Sequence, residues 1–421
     1  MSDSTFINKH RLKPTAFSRK RSLDFSTLFL FLLNFRKQSG QVELNQFFQQ
    51  VVSSIKPVSQ SALTQARNLL SPLAFKEINQ NVITQFYSKS KDLKQWKGFR
   101  VCAVDGSSIR LPATEDVIKN FGVHKGINEP KGCPMALSSV LYDVLNKITI
   151  DSTLETAHAS ERECAEKHFQ YTNQNDLTLY DRGYNAFWLY ALHQQHNKKF
   201  CMRVKASQMN IAKVFIKSNQ KQQIITLKAN KSSIKTCVKK DINYSDIELR
   251  LIRVDLENEV EVLITNLNDE QNFPAECFKS LYHLRWGIEE NYKRLKQWLE
   301  IENFSGKSAL SVQQDFYAKI LASNLTQILC SEAQKGLNKK TKNNKLSYQV
   351  NFAQSLSKVK NRLVELIYQA HSAFKINAQK IADLIESMSL SPSAVRKNRS
   401  FSRQVKKKKN NFFYQPYKSS L

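Results

Sequence analysis

The stretch Leu281-Tyr282-His283-Leu284-Arg285-Trp286-Gly287-Ile288-Glu289-Glu290-Asn291-Tyr292-Lys293-Arg294-Leu295-Lys296 reads as one amphipathic helix. At about 100° per residue, Tyr282, Arg285, Glu289 and Lys296 share a stripe roughly 60° wide. Leu284, Ile288, Leu295 and Leu299 form the adjoining apolar face, and Glu290, Lys293, Arg294 and Gln297 point the other way. A phenol, a guanidinium, a carboxylate and an ammonium thus run along the shoulder where core meets water. A merely solvated face places its charges opposite the apolar stripe instead. Ion pairs at i,i+3 and i,i+4 are the ordinary account of such a stripe, at roughly a few tenths of a kcal/mol each, and the helix alone supports no more.

Upstream, residues 99–104 form an apolar strand that runs into Asp105-Gly106-Ser107-Ser108. Residues 136–142 and 147–154 are two strands joined by a tight turn at Val144-Leu145-Asn146. Ser160 with Glu163 reads as an N-cap and its capping-box partner, opening a helix over 161–171. Residues 177–180 make a strand that ends in Asp181-Arg182-Gly183-Tyr184, followed by a helix over 187–195 and a fifth strand over 200–205. This order predicts a mixed α/β sheet. Taken singly, each aspartate is a turn residue: Asp-Gly after a strand is a common turn, Gly183 suits a turn needing positive φ, and Arg182 can pair with the carboxylate beside it.

A chain of 421 residues has room for two to four domains. Sixty-four Lys and Arg against 36 Asp and Glu leave a net charge of +28, which favours a polyanionic partner, nucleic acid first and anionic membrane second. The apolar run 27–33 is too short to span a bilayer, and Asn34-Phe35-Arg36-Lys37 follows it rather than a small-residue cleavage site, so it predicts a buried helix. Seven scattered cysteines without a C-x-x-C argue against disulfides and structural zinc and fit a reducing cytosol. Cys164 and His168 share a helix face but lack a second ligand pair, which favours core packing.

The spacing Tyr282, two residues, Arg285, three residues, Glu289, six residues, Lys296 resembles the Y-R-E-K signature of bacterial DDE transposases of the insertion-sequence-four type. The contexts of Asp105 (D-G-[ST]-[ST]) and Asp181 (D-R-G-[YF]) match the same family. The resemblance implies a ribonuclease-H-like fold, a mixed sheet with a β-rich insertion, flanked by helical N- and C-terminal regions. Its first and fourth strands would lie side by side and bring Asp105 and Asp181 together. With Glu289 these would be the catalytic, metal-ligating carboxylates. Two Mg²⁺ ions about 3.5–4 Å apart, or Mn²⁺ in their place, would stabilise the attacking and leaving oxygens. Arg285 and Lys296 would hold phosphates, Tyr282 would add a hydrogen bond, and Arg182 would join the DNA contacts.

The expected organisation is a helical DNA-binding domain over 1–98, the catalytic core over 99–205 and 273–335, the β-rich insertion over 206–272, and a helical region with a basic tail over 336–421. Helical periodicity covers 23–35, 42–51, 61–70 and 73–87, with Gln65, Arg67 and Asn68 available at a surface. That pattern suits a helix-turn-helix reader and a plain bundle equally; the resemblance implies contact with the transposon end. In the insertion, alternation marks strands at 223–227, 234–238, 247–254 and 260–267. Some relatives stack a flipped base on a tryptophan in this region. Here there is none, which leaves Phe215 or Tyr244 as stacking candidates. Helices over 312–333 and 351–369 and a like-charge run over 396–409 complete the chain.

The implied function is cut-and-paste transposition by a homodimer on double-stranded DNA, acting on terminal inverted repeats and target DNA. No membrane is involved, and the implied location is cytoplasmic, at the nucleoid. The rival readings are a metal-dependent nuclease on the same fold and an inactive, DNA-binding transposase remnant.

Overall fold

A computed structural model describes residues 3–396 apart from 20, 35–37, 53–57, 127–128, 206–208, 258, 361 and 370–373. The basic run falls outside the described residues from 397 onward. Two compact units emerge: one of residues 1–88, 109–136 and 294–421, the other of residues 89–108 and 137–293.

The chain begins with α1 (Ser4–His10), α2 (Phe25–Leu33), α3 (Gly40–Phe47), α4 (Gln60–Arg67) and α5 (Leu73–Lys89), with a single π-helical turn, Phe48–Val52, after α3. Asp24 caps α2 by accepting the Thr27 amide at 2.8 Å. Every residue of α2 except Ser26 is buried, as an all-round apolar helix requires. Next come β1 (Arg100–Arg110), α6 (Glu115–Phe121), β2 (Val123–Gly126), β3 (Glu129–Asp143) and β4 (Ile148–Thr156). They are followed by α7 (Glu161–Phe169), β5 (Asp176–Tyr180), α8 (Phe187–Gln195) and β6 (Lys199–Val204). Then α9 (Asn210–Lys217), β7 (Gln222–Leu227), α10 (Lys231–Lys239), β8 (Ile247–Asp255) and β9 (Val260–Thr265) lead to α11 (Cys277–His283) and α12 (Trp286–Gln297). The chain continues through α13 (Ala309–Lys340), β10 (Ser347–Val350), α14 (Phe352–Val359), α15 (Arg362–Gln369), α16 (Phe374–Ser389) and β11 (Pro392–Val395).

The unit of 89–108 and 137–293 is built on the sheet. Nine strands take the order β2-β3-β1-β5-β6-β9-β8-β7, with β4 on β3. β1, β5 and β6 are mutually parallel, while β9, β8 and β7 add on antiparallel, which gives the expected mixed sheet. β5 is buried along its whole length, as a parallel strand packed under helices must be. Its core joins Leu189 and Tyr190 of α8, Phe215 of α9 and Phe169 of α7 to the strands.

In the other unit, Phe29 of α2 stacks on Phe75 of α5 with centroids 4.3 Å apart, and Ala318, Leu321 and Ala322 of α13 close the same core. Arg67 is buried there, bonded to Asp315 (3.0 Å), Gln314 (2.9 Å), Ser305 (2.8 Å) and the Ser311 carbonyl (2.9 Å). It is therefore not the surface reader expected of it, whereas Gln65 and Asn68 are exposed.

Other departures have local causes. Residues 234–238 belong to α10 rather than a strand. Asn230 caps that helix by accepting the Ser233 amide at 2.8 Å, and only Cys237 is buried in it. The region 206–272 is thus mixed, with α9 and α10 between strands that extend the main sheet rather than forming a separate β-module. Helix 351–369 divides into α14 and α15, and Ser160 opens α7 without a side-chain cap bond. Gly183 lies in a 3-10 turn, Arg182–Tyr184, and is not among the residues with positive φ.

Candidate active site

Parallel strands deliver chemistry at their carboxyl ends. Val104 of β1 is paired with Tyr180 of β5, so the next residue on each, Asp105 and Asp181, sits at one level on adjacent strands. Burial, above all, pushes the Asp105 carboxyl up to about 6. The Gly106 amide and the Arg285 charge oppose that rise, while Glu161 and Asp181 add to it. The Gly106 N–H donates to Asp105 Oδ1 at 3.0 Å.

The signature segment is two helices. α11 ends at His283, and i→i+3 bonds from the amides of Leu284, Arg285, Gly287 and Ile288 carry the chain round a tightened turn into α12. Gly287 belongs there because Val144, at the tip of the β3–β4 hairpin, lies on it: a Cβ would stand 3.3 Å from the valine Cβ. Two tyrosines fasten these helices to the strands. The Tyr282 hydroxyl donates to the Tyr180 carbonyl at 3.1 Å, just before Asp181. The Tyr292 hydroxyl sits between the carbonyls of Ser138 (2.7 Å) and Asp105 (3.1 Å). Tyr282, expected to add a hydrogen bond to DNA, is 7% exposed, with its hydroxyl engaged by β5.

Arg285 occupies the tightened turn, 7% exposed, between the Tyr282 and Trp286 rings. Its Nη2 donates to Glu289 Oε1 at 3.1 Å, and its Nε has no hydrogen-bond partner among the described residues. Burial works against its charge, but Tyr282, Asp181 and Glu289 outweigh that and hold the guanidinium above its ordinary value. The cation therefore answers the acidic charge of Asp181 and Glu289. Among the described residues, no three His, Cys, Asp or Glu side chains converge closely enough to hold one ion, and Glu289 is paired with Arg285. The donor set nonetheless fits a hard divalent cation. Two aspartates, Asp105 within β1 and Asp181 just after β5, lie at one level and supply the hard oxygen donors such a cation takes.

The remaining expectations divide. Arg182 is exposed in the turn after Asp181. Lys296 pairs with Glu302 at 3.6 Å. Tyr244 is 47% exposed, but Phe215 is 1% exposed in the core and cannot stack on a base without leaving it. Sequence reasoning missed Tyr292, Trp286 and Glu161. A tyrosine in register with Ile288 and Leu295 was the available signal for the first, since a buried phenol needs a partner. Trp286, 47% exposed beside Arg285, carried none beyond its place in the stretch.

A mixed sheet with two aspartates at one level, where the parallel pairing of β1 and β5 ends, and a tyrosine-arginine-glutamate segment fastened to those strands, fits the DDE transposase class. Residues 96–325, more than half of the chain, match the family model described as a transposase DDE domain, and the chain belongs to that family. It is also 25% identical over 359 residues to the transposase InsG for insertion sequence element IS4 of Escherichia coli strain K12, covering 83% of this chain and 77% of that protein. This chain is thus a DNA transposase of the insertion-sequence-four type, an enzyme of the polynucleotidyl transferase class. The family generally uses divalent metal ions. Among the described residues, no helix is long and apolar enough to cross a membrane.

Proposed function

We propose that this transposase moves its element by cut-and-paste, with Asp105, Asp181 and Glu289 as the carboxylates that hold Mg²⁺, two ions for each reacting site and Mn²⁺ as a substitute. The observation that carries the assignment is the pairing of Val104 with Tyr180, which sets both aspartates at one level, with Arg285 facing Asp181 and bonded to Glu289. When bound, the metal supplies charge to the attacking and leaving oxygens of a phosphodiester. The protein's part is to hold its groups in readiness. Tyr282 and Tyr292 fix the two helices against β5, β1 and β3. Arg285 balances Glu289 in the metal-free chain. Its planar fork suits bidentate contact with a DNA phosphate.

The partners are the terminal inverted repeats and target DNA, and two copies of the chain hold two ends. A groove of about 940 Å³ in the N-terminal helical region supports an end-binding surface. Lys13, Arg19 and Arg21 line it with Gln65 and Asn68, and no acidic residue does. The test uses the DNA flanking the reading frame as an end-labelled duplex, with supercoiled plasmid, in Mg²⁺, Mn²⁺ or chelator. Metal-dependent nicking at a terminal repeat and joining of labelled end to plasmid are expected from wild type and absent from Asp181→Ala. Asp181→Ala should still bind the end. Cutting without joining would leave a nuclease, and cleavage by Asp181→Ala would remove it from the site.

A further inference from the structure

We infer that Glu302 is a positioning residue for Lys296, a carboxylate held by the end of β1 that fixes the ammonium meeting a DNA phosphate. This rests on the reading of Lys296 as a phosphate contact. Lys296 lies on the same face of α12 as Glu289, two turns and about 10 Å further along the axis, so a strand reacting beside Glu289 runs past it. Its Nζ stands 3.6 Å from Glu302 Oε1. The same oxygen accepts the backbone amide of Arg110, the last residue of β1, at 3.1 Å. A main-chain donor thus orients the carboxylate, which presents its charge to Lys296. An ammonium has three donors, so it can meet a phosphate without leaving Glu302.

The turn that carries Glu302 is itself clamped. Glu300 has a φ of +49°, a left-handed conformation that a residue other than glycine adopts only at a cost. The Asn303 amide donates to the Glu300 carbonyl at 2.8 Å and closes the turn. Lys319 of α13, 7% exposed, reaches both of its ends. Its Nζ donates to the Glu300 carbonyl at 2.6 Å and to the Asn303 carbonyl at 2.7 Å, beside the Phe304 ring. Burying an ammonium costs free energy unless it is engaged, and here the engagement goes to fixing this turn.

The ordinary account of each part is structural. A lysine in a last helical turn suits the helix dipole, and a partly exposed ion pair adds little to stability. Arg294 serves the dipole in the same turn, against the Trp298 and Phe352 rings, and pairs with no carboxylate among the described residues. Neither account calls for a strained, clamped turn that aims a carboxylate at Lys296.

Glu302→Gln isolates the charge, because the amide oxygen can still accept from Arg110. The full chain is compared as wild type, Glu302→Gln, Glu300→Gln and Lys296→Met. Thermal melts, affinity for the labelled terminal duplex in chelator, and nicking rate at saturating duplex in Mg²⁺ are the readouts. Glu302→Gln should melt as wild type does, bind the duplex as tightly or up to about 3-fold more tightly, and nick about 3- to 10-fold more slowly. Glu300→Gln, which also removes one charge from the turn, should nick at the wild-type rate. Lys296→Met should bind more weakly and nick more slowly. A wild-type rate in Glu302→Gln, with Lys296→Met impaired, would overturn the positioning role alone. So would a lowered melting temperature with weakened binding, the mark of a structural role. Wild-type binding and nicking by Lys296→Met would overturn the reading of Lys296 and this inference with it.

Discussion

Asp105 shows how a single side chain can be set against its own fold. Its carboxyl is pushed from 3.8 to about 6, burial being the main cause. Between those values the folded chain binds more protons than the unfolded one, so stability falls as pH rises through the window. Above it, the ionised group is a standing cost in the metal-free protein. Asp105→Asn keeps an acceptor for the Gly106 amide without the charge. With chelator present, this variant should be more stable than wild type above pH 6 by about 1–2 kcal/mol, and equal to it below pH 4. Thermal melts across pH check this, and identical melts at every pH would remove the strain. The aspartate was legible from its place after an apolar run, but its strain was not, because the charges and contacts around it, from Glu161, Arg285 and Tyr292, arrive from distant segments. Phe215 illustrates the converse. An aromatic in a lysine-studded stretch looked free to stack, and only the packing of α9 on the sheet buried it.

At the scale of elements, buried polar contacts decide which helices belong together. Arg67 of α4 reaches Asp315 of α13 in a pair where both side chains are under 7% exposed. Removing one partner of such a pair leaves an uncompensated buried charge and typically costs about 3–5 kcal/mol. Arg67→Ala should therefore lose that much in denaturant unfolding. Replacing both residues by apolar ones of similar volume, Arg67→Met with Asp315→Leu, should recover most of it. A loss under 1 kcal/mol for Arg67→Ala would mean that the pair is open to water. Most elements were legible from periodicity: α2, α5, β4, β5 and β8 lie where apolar spacing put them, within a few residues, and α13 contains the expected helix 312–333 but runs on to Lys340. The failures share a cause. Residues 234–238 fit a two-residue and a three-to-four-residue period alike, and the Asn230 cap settled them as helix. The signature stretch has unbroken helical spacing, yet it tightens at Arg285, where two tyrosines hold its halves to different strands.

For the whole molecule, charge governs the encounter with DNA. A net charge of +28 gives a long-range field for a polyanion, and each phosphate contact steepens the fall of affinity with salt. The proposed end-binding groove is lined by Lys13, Arg19 and Arg21. Replacing all three by alanine should reduce the slope of log affinity against log salt by about 2–3, at about 0.9 per phosphate, in filter or fluorescence binding to the terminal duplex. Metal binding should be unaffected. An unchanged slope would place the end-binding surface elsewhere.

What the sequence determined by itself was the order of strands and helices, the class of sheet, the basic character of the chain, and the two aspartates with the Y-R-E-K residues. Those properties are local or additive: a period, a turn, a summed charge, a fixed spacing along the chain. Tertiary structure decided which of those groups meet. It set Asp105 level with Asp181, engaged Tyr282 with the end of β5, withdrew Arg67 and Phe215 into cores, and brought Glu161 onto Gly106. Each of those depends on partners tens to hundreds of residues away, and no local spacing encodes such a partner.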